Sequence, residues 1–350
     1  MPQRESAPGL RAVPTRPPHN LAMFDRPALA TALRGITVLE RGWLSSNNIL
    51  IHAAPGEAGA VLVDTGHVAH REQTLALVQH ALAAAAHTHH LAGIVNPRRL
   101  ARIVNTHLHS DHCGGNAVLQ QAFGAPVTIP PGQADAVRRW DLARLGHDDF
   151  GRRERFDIAD TLAAGESFAA GGRHWLALAA PGHDPHSLVL FDAEAGLLIS
   201  ADALWENGFG VVFPELVGES GFDEVGATLE LIERLPVQVV VPGHGAPFTD
   251  VAAALARARS RLAAFRAEPA RHARHAAKVL LKYHLMEVRR LALADLVAWA
   301  TAAPLLREVW QRFGAGRGEA RTIEAWTLAF VHELERGGAL AIEGAEVIDR

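Results

Sequence analysis

Thr106-His107-Leu108-His109-Ser110-Asp111-His112-Cys113-Gly114-Gly115 is the stretch on which the reading of this chain turns. It follows a short strand-like apolar run, Ala101 to Asn105, and leads into Gly115 to Phe123, which reads as a helix. Alternate side chains of an extended segment point the same way, so His107 and His109 can meet one metal ion. Asp111 and His112, where the chain turns into the helix, can reach a second. Hydrolysis by two metals roughly 3.5 to 4 Å apart needs such split ligation, with a hard carboxylate, several imidazoles and a shared water. Three further candidates sit in turn-forming contexts at strand ends: His183 in Ala180-Pro181-Gly182-His183, Asp202 in Ser200-Ala201-Asp202, and His244 in Pro242-Gly243-His244-Gly245. Residues just past strand ends converge on one edge of a sheet.

The rest of the composition sets the frame. A chain of 350 residues is long enough for two units, at roughly 150 residues each. Hydrophobic residues make up 49% and charged residues 21%, which excludes a disordered polymer or a fibrous repeat. No apolar run reaches the roughly 18 residues of a membrane span, since Gln79 and His80 interrupt the Ala-rich stretch from Leu75 to Ala86. A net charge of −4 gives no basic field, which argues against nucleic acid and anionic lipid as partners. One cysteine excludes an intrachain disulfide, and Met1 to Asn20 lacks the apolar core of a secretory signal, so the expected location is the cytoplasm. Twenty histidines against a single tyrosine is the unusual count.

Three regions are expected: a flexible leader over 1–34, a catalytic domain over 35–268 and a C-terminal domain over 269–350. The proline-rich start carries no periodic apolar pattern. From Ile36 to Val63, short apolar runs split by Gly, Pro and Asn predict paired strands, and Leu75, Val78 and Leu82 mark a helix. Pro131 to Arg155 reads as a helical insertion. Beyond it come four strand candidates between Glu166 and Ser200, an amphipathic helix at Phe222 to Leu235 and a buried strand at Val237 to Val241. This is an alternating layer arrangement, with two sheets between helices as one possibility. After Asp250 the sequence predicts five helical segments and then a strand pair at Ala339 to Ile342 and Glu346 to Ile348, the order of a winged-helix module.

The histidine loop and the later His, Asp and His match in order the ligand pattern of the metallo-β-lactamase superfamily, which residues 35 to 250 resemble. That resemblance implies an α+β chain: a four-layer αββα sandwich followed by the mainly helical, winged-helix-like domain. It implies two divalent metal ions, zinc first, with iron or manganese as alternatives. His107, His109 and His183 would hold one, Asp111, His112 and His244 the other, and Asp202 would bridge. Asp64 matches the family's loop-organising aspartate. Water bound to such ions has a pKa near about 7 and supplies a metal-bridging hydroxide, while Asp202 or Asp111 carries the proton to the leaving group. The chain looks most like the glyoxalase II group, which implies a small acyl substrate, a thioester or a lactone.

Around the ligands, Trp205, Phe209 and Phe213 are expected to form a pocket wall, with Trp140 and Phe150 as a lid and His186 either touching the substrate or lying on the surface. The tyrosines that related lactonases and glyoxalases aim at substrate are absent from the expected positions, since Tyr283 lies far along the chain. Arg271, His275, Lys278, Lys282 and Arg289 fall on one helix face and include the only two lysines. Lys278 and Lys282 are therefore candidates to hold a substrate anion, against the plainer reading of a solvated face. His87, His89 and His90 imitate ligand spacing but lack a carboxylate nearby, which favours a solvated face. Competing readings are an endoribonuclease-like phosphodiesterase of the same superfamily, a mono-iron persulfide dioxygenase using His107, His183 and Asp202, and a non-catalytic sensor. Trp299, Trp310 and Trp326 need burial, either at a homodimer surface or in a cover over the pocket.

Overall fold

A computed structural model describes residues 26–88, 98–145, 151–316 and 321–350 of the chain. The first sheet runs in the order β1 (Ile36–Leu39), β2 (Asn48–Ile51), β3 (Ala60–Val63), β4 (Leu100–Val104), β5 (Val127–Ile129) and β6 (Ile158–Thr161). Its first two pairings are antiparallel and its last three parallel. The second sheet has the order β11 (Val239–Pro242), β10 (Leu197–Ala201), β9 (Leu188–Asp192), β8 (Arg173–Ala179) and β7 (Ser167–Ala170), parallel only between β10 and β11.

Strand alternation builds the layers. Ile49, Ile51, Val61, Val63 and Val104 face one way and pack on Trp175, Leu190, Ile199 and Val241 of the second sheet, forming the core between the sheets. Their neighbours Leu50, Leu62 and Ile103 face the other way, against Val78 and Leu82 of the helix Arg71–Thr88 and Leu119 of the helix Asn116–Phe123. On the far side, Val189, Leu198 and Val240 pack on Leu229 of the helix Phe222–Arg234 and Leu255 of the helix Val251–Ala267. The result is helix, sheet, sheet, helix, the four-layer sandwich, with strands buried on both faces.

Part of the expected leader is structured. Arg26–Ala32 is helical, and Leu29, Ala32 and Leu33 close the end of the inter-sheet core. A spacing of apolar residues too short to register as a helix in the sequence is enough once a sheet edge is there to receive it. Trp140 is not a lid. It packs edge-on against Phe156, 5.7 Å between ring centres, within the outer helical layer. Phe150, His89 and His90 lie outside the described residues.

A helical C-terminal region follows, beginning with the helix Pro269–Val288 and continuing through Leu293–Ala302, Pro304–Phe313 and Ile323–Arg336. Its small sheet has three strands rather than the expected two, because β12 (Arg290–Ala292) pairs with β14 (Glu346–Asp349), which also pairs with β13 (Leu340–Glu343). This region does not stand apart from the sandwich, since Val211 and Leu216 of the catalytic part are buried in the same core as Ala276, Leu280, Leu306 and Phe330.

Candidate metal centre

All seven ligand candidates lie beyond the ends of strands on one rim of the sandwich. His107 and His109 follow β4, Asp111 and His112 ride on the one-turn helix Ser110–Cys113, and His183, Asp202 and His244 follow β8, β10 and β11. The rim is held by backbone that is locally strained and by polar contacts that secure it. Asp64 has a left-handed backbone (φ 56°), and its carboxylate accepts from the Thr106 amide (2.9 Å), the Thr106 hydroxyl (2.8 Å) and His112 Nδ1 (2.7 Å). Gly114 is a glycine by necessity, because a Cβ there would stand 2.2 Å from the Val68 amide nitrogen. Asn47 Nδ2 donates to the carbonyls of Pro242 (2.9 Å) and Gly245 (2.7 Å), tying the first sheet to the His244 turn.

The ligand atoms form two groups, His107, His109 and His183 in one and Asp111, His112, Asp202 and His244 in the other. Hydrogen bonding sets the tautomers of the first. Thr106 Oγ1 gives its proton to Asp64 and accepts from His107 Nδ1 (3.1 Å), while His183 Nδ1 donates to the Val211 carbonyl (2.6 Å). The free edges then converge: His109 Nδ1 lies 3.2 Å from His107 Nε2 and 2.7 Å from His183 Nε2. Burial, reinforced by the neighbouring imidazoles, pushes His107 and His109 well below the usual histidine pKa and keeps them neutral. Three lone pairs at this range repel one another unless a cation lies among them.

In the second group, His112 spends its Nδ1 proton on Asp64 and leaves Nε2 buried without a hydrogen-bond partner, 3.4 Å from Asp202 Oδ1. His244 Nε2 lies 3.1 Å from Asp111 Oδ2. Burial would raise the Asp111 and Asp202 carboxyls, but His112 and His244 outweigh it and hold both below the ordinary carboxylate range. Two carboxylates and two imidazoles aimed inward suit a divalent cation. Asp202 reaches both groups, with Oδ2 3.3 Å from His183 Nε2 and Oδ1 near His112 and His244. The residues present therefore fit divalent metal, since either group could hold an ion and the Asp202 carboxylate is within reach of both.

The rim opens into a cleft of about 870 Å³, walled by both the sandwich and the C-terminal helices. Trp43 is 58% exposed at its mouth and stacks on His244, with ring centres 5.4 Å apart and planes 13° from parallel. Trp205 stands edge-on to Trp43, and its Nε1 donates to Asp202 Oδ1 (3.2 Å). Phe213 lies against the rings of His109 and His183.

The profile of the metallo-beta-lactamase superfamily matches residues 41–244, more than half of the chain. The chain belongs to that superfamily. Among curated relatives, it is 27% identical over 143 residues to a hydroxyacylglutathione hydrolase of Methylococcus capsulatus, covering 41% of this chain and 47% of the relative. It is 30% identical over 155 residues to a probable metallo-hydrolase of Bacillus subtilis, covering 43% of this chain and 70% of the relative. The chain thus spans about half the length of the hydroxyacylglutathione hydrolases it matches. A crystal structure of a beta-lactamase domain protein from Burkholderia ambifaria shares the fold at a TM-score of 0.50 and 20% identity, over 91% of this chain and 93% of that one.

Within this metallo-β-lactamase member, the expected substrate residues divide. Trp205, Lys278 and Lys282 line the cleft. Both lysines have partners there: Lys278 Nζ donates to Glu333 Oε2 (3.1 Å), and Lys282 pairs with Asp349 and the Ala339 carbonyl. Phe209 is not a cleft wall. It is 2% exposed and packs edge-on against Phe265 in the outer core, because the strap after Asp202 turns it inward. His186 is exposed, with its ring over Gly132, while the neighbouring Asp184 carboxylate is the group that faces His109 Nε2, at 3.6 Å. Trp43, Asp184 and Tyr283 are what the sequence reasoning missed. Tyr283 is remote in sequence, yet the helix Pro269–Val288 brings it to the cleft, where its hydroxyl and that of Ser110 lie 2.8 Å apart and its ring meets His67 edge-on. Burial pushes its phenol well above the usual tyrosine pKa, so it stays protonated and able to donate.

Proposed function

We propose that this protein is a dinuclear metal-dependent hydrolase that cleaves a small acyl substrate, a thioester or a lactone. The observation that carries the reading is the Asp202 carboxylate, within 3.4 Å of an imidazole in each ligand group, at the floor of an open cleft. His107, His109 and His183 would hold one ion and Asp111, His112 and His244 the other, with zinc the first expectation. Bound there, the ions supply a Lewis acid for the carbonyl and a water acidic enough to attack at neutral pH.

The chain's own groups account for the remaining steps. Trp43, Trp205 and Phe213 surround the ligands with apolar surface, which orients an acyl group and limits competing water. Asp111 and Asp202 both line the cleft, and this position lets either relay a proton to the departing thiolate or alkoxide. The protonated Tyr283 hydroxyl and Ser110 offer hydrogen bonds to a substrate oxygen from the side of the C-terminal helix. The C-terminal region, read as a winged-helix-like module, serves here as the outer wall of the active site.

Elemental mass spectrometry on the purified chain, run beside thioester, lactone and phosphodiester substrates, tests this. Close to two equivalents of metal with acyl hydrolysis is the expected result. Phosphodiester cleavage without acyl hydrolysis would replace the reading with a nuclease, and a single iron with no hydrolysis would replace it with oxidative chemistry.

A further inference from the structure

The helix Pro269–Val288 touches the metal centre at a second place, through the backbone. His272 is 1% exposed, enclosed by the rings of Phe222 and Phe265. Burial, helped by His275, pushes it down to about 3, so the ring is neutral at physiological pH. Its Nε2 accepts the amide proton of Val212 at 3.1 Å. The preceding carbonyl, that of Val211, accepts from His183 Nδ1 at 2.6 Å. His272 and His183 thus hold the two sides of a single peptide group, the one joining Val211 to Val212. Gly210 lies flat on the His183 ring, where a Cβ would stand 2.4 Å from Nδ1, and its amide donates to the Asp202 carbonyl (2.9 Å).

We infer that His272 is a positioning residue for the metal centre: by anchoring the Val211–Val212 strap it fixes the tautomer and direction of His183, and with them the His107, His109 and His183 group. A ligand histidine needs its non-ligating nitrogen held, and loss of such support costs about 10- to 100-fold in metal affinity. The other group is supported differently, by Asp64 on His112, inside the sandwich. The effect of His272 is therefore confined to one ion of the two. In the sequence His272 is one of three histidines on its helix, 89 positions from the ligand it serves. This inference rests on the reading of His183 as a metal ligand.

The test removes the link from either end. His272→Leu keeps the bulk and deletes the acceptor. Val212→Pro deletes the donor at a φ of −88°, near what proline adopts, and leaves His272 in place. His272→Gln restores an acceptor on a longer side chain. The readout is zinc competition against a chromophoric chelator on the full-length, zinc-loaded chain, with circular dichroism to report folding. Leu and Pro variants are expected to yield one of two ions about 10-fold or more easily, the second unchanged, and Gln to behave nearly as the native chain. Native affinity for both ions in folded Leu or Pro variants would overturn the inference. Should His272→Leu fail to fold, Val212→Pro decides alone, and should both fail, a Gln variant that loosens both ions equally would overturn the confinement to one site. A native chain that binds no zinc at all would instead sink the reading of the metal centre itself.

Discussion

The two ligand groups differ in charge and in what holds them. His107, His109 and His183 form a neutral group, and its support crosses from the sandwich into the C-terminal helix through Val211 and His272. The other group, Asp111, His112, Asp202 and His244, contains two carboxylates and takes its support from Asp64, at the end of β3. The neutral group depends on close placement of lone pairs, because imidazole attraction for a cation is directional and short in range. The acidic group has Coulombic attraction in addition, strengthened by burial. Two sites in one rim are thus built to respond differently to the same disturbance, except where Asp202 joins them.

Removing that joint gives the largest expected effect. Asp202→Asn takes away the shared negative charge while keeping the shape, and should abolish the distinction between the groups by weakening both. Hydrolysis should fall about 1,000-fold or more, equivalent to roughly 4 kcal/mol of lost transition-state stabilisation. Metal per chain should fall below one equivalent after dialysis. Full metal content with unimpaired turnover would show that Asp202 does not bridge.

Asp64→Asn separates the groups. His112 would lose its carboxylate partner at 2.7 Å, so affinity at the acidic group should drop about 10- to 100-fold, while the neutral group, which Asp64 reaches only through Thr106 and His107, should lose less. The check is the same chelator titration, which should show the acidic site weakened more than the neutral one. Set beside the His272 variants, it gives the opposite pattern of loss if the two supports are independent.

Acid sharpens the contrast through the fold. His272 is buried with its pKa pushed down from 6.5 to about 3, so below pH 6.5 the unfolded chain binds a proton that the folded chain refuses. Stability from this group is complete above pH 6.5 and is lost as the pH falls towards 3, because the unfolded state then holds more protons. Between pH 6.5 and 5 the loss should reach about 2 kcal/mol. Urea unfolding of the metal-free chain at the two pH values measures it, and His272→Gln should flatten the dependence by that amount. An equal slope in both proteins would mean that His272 titrates freely.

Much of this was legible in the sequence for physical reasons that can be named. The short Ile-, Leu- and Val-rich runs such as Asn48 to His52, split by Gly, Pro and Asn, are local signals of strands, whereas the four-layer sandwich was implied by the resemblance of the ligand pattern to a known superfamily. The seven ligands lie directly after strands, so order along the chain already implies convergence in space. Phe209 was misplaced because a large apolar residue near a site looks the same in sequence whether it faces the cleft or the core. Tyr283 and His272 were invisible as site residues because the helix that carries them is recruited by packing of Ala276 and Leu280 against Val211 and Leu216, a long-range choice no local pattern records. Trp43 lay in a loop between strands, where a lone aromatic has no period to betray its direction.

The lysines give the smallest effect and bear on how far the C-terminal region contributes beyond support. Lys278 shares Glu333 with Arg274, and Lys282 shares Asp349 with Arg289, so each carboxylate faces two cations and each pair keeps one positive charge in excess. A substrate anion in the cleft would be attracted to that excess but would compete with carboxylates already in place. Lys278→Ala with Lys282→Ala should therefore raise KM for an anionic thioester only about 3-fold, roughly the 0.6 kcal/mol of a partly solvated ion pair, with kcat and metal content unchanged. Steady-state kinetics on matched anionic and neutral thioesters measure the difference. An equal change for both substrates would assign the lysines to packing of the helix against its own domain, and the wall of the cleft would then recognise its ligand through Trp43, Trp205 and Phe213 alone.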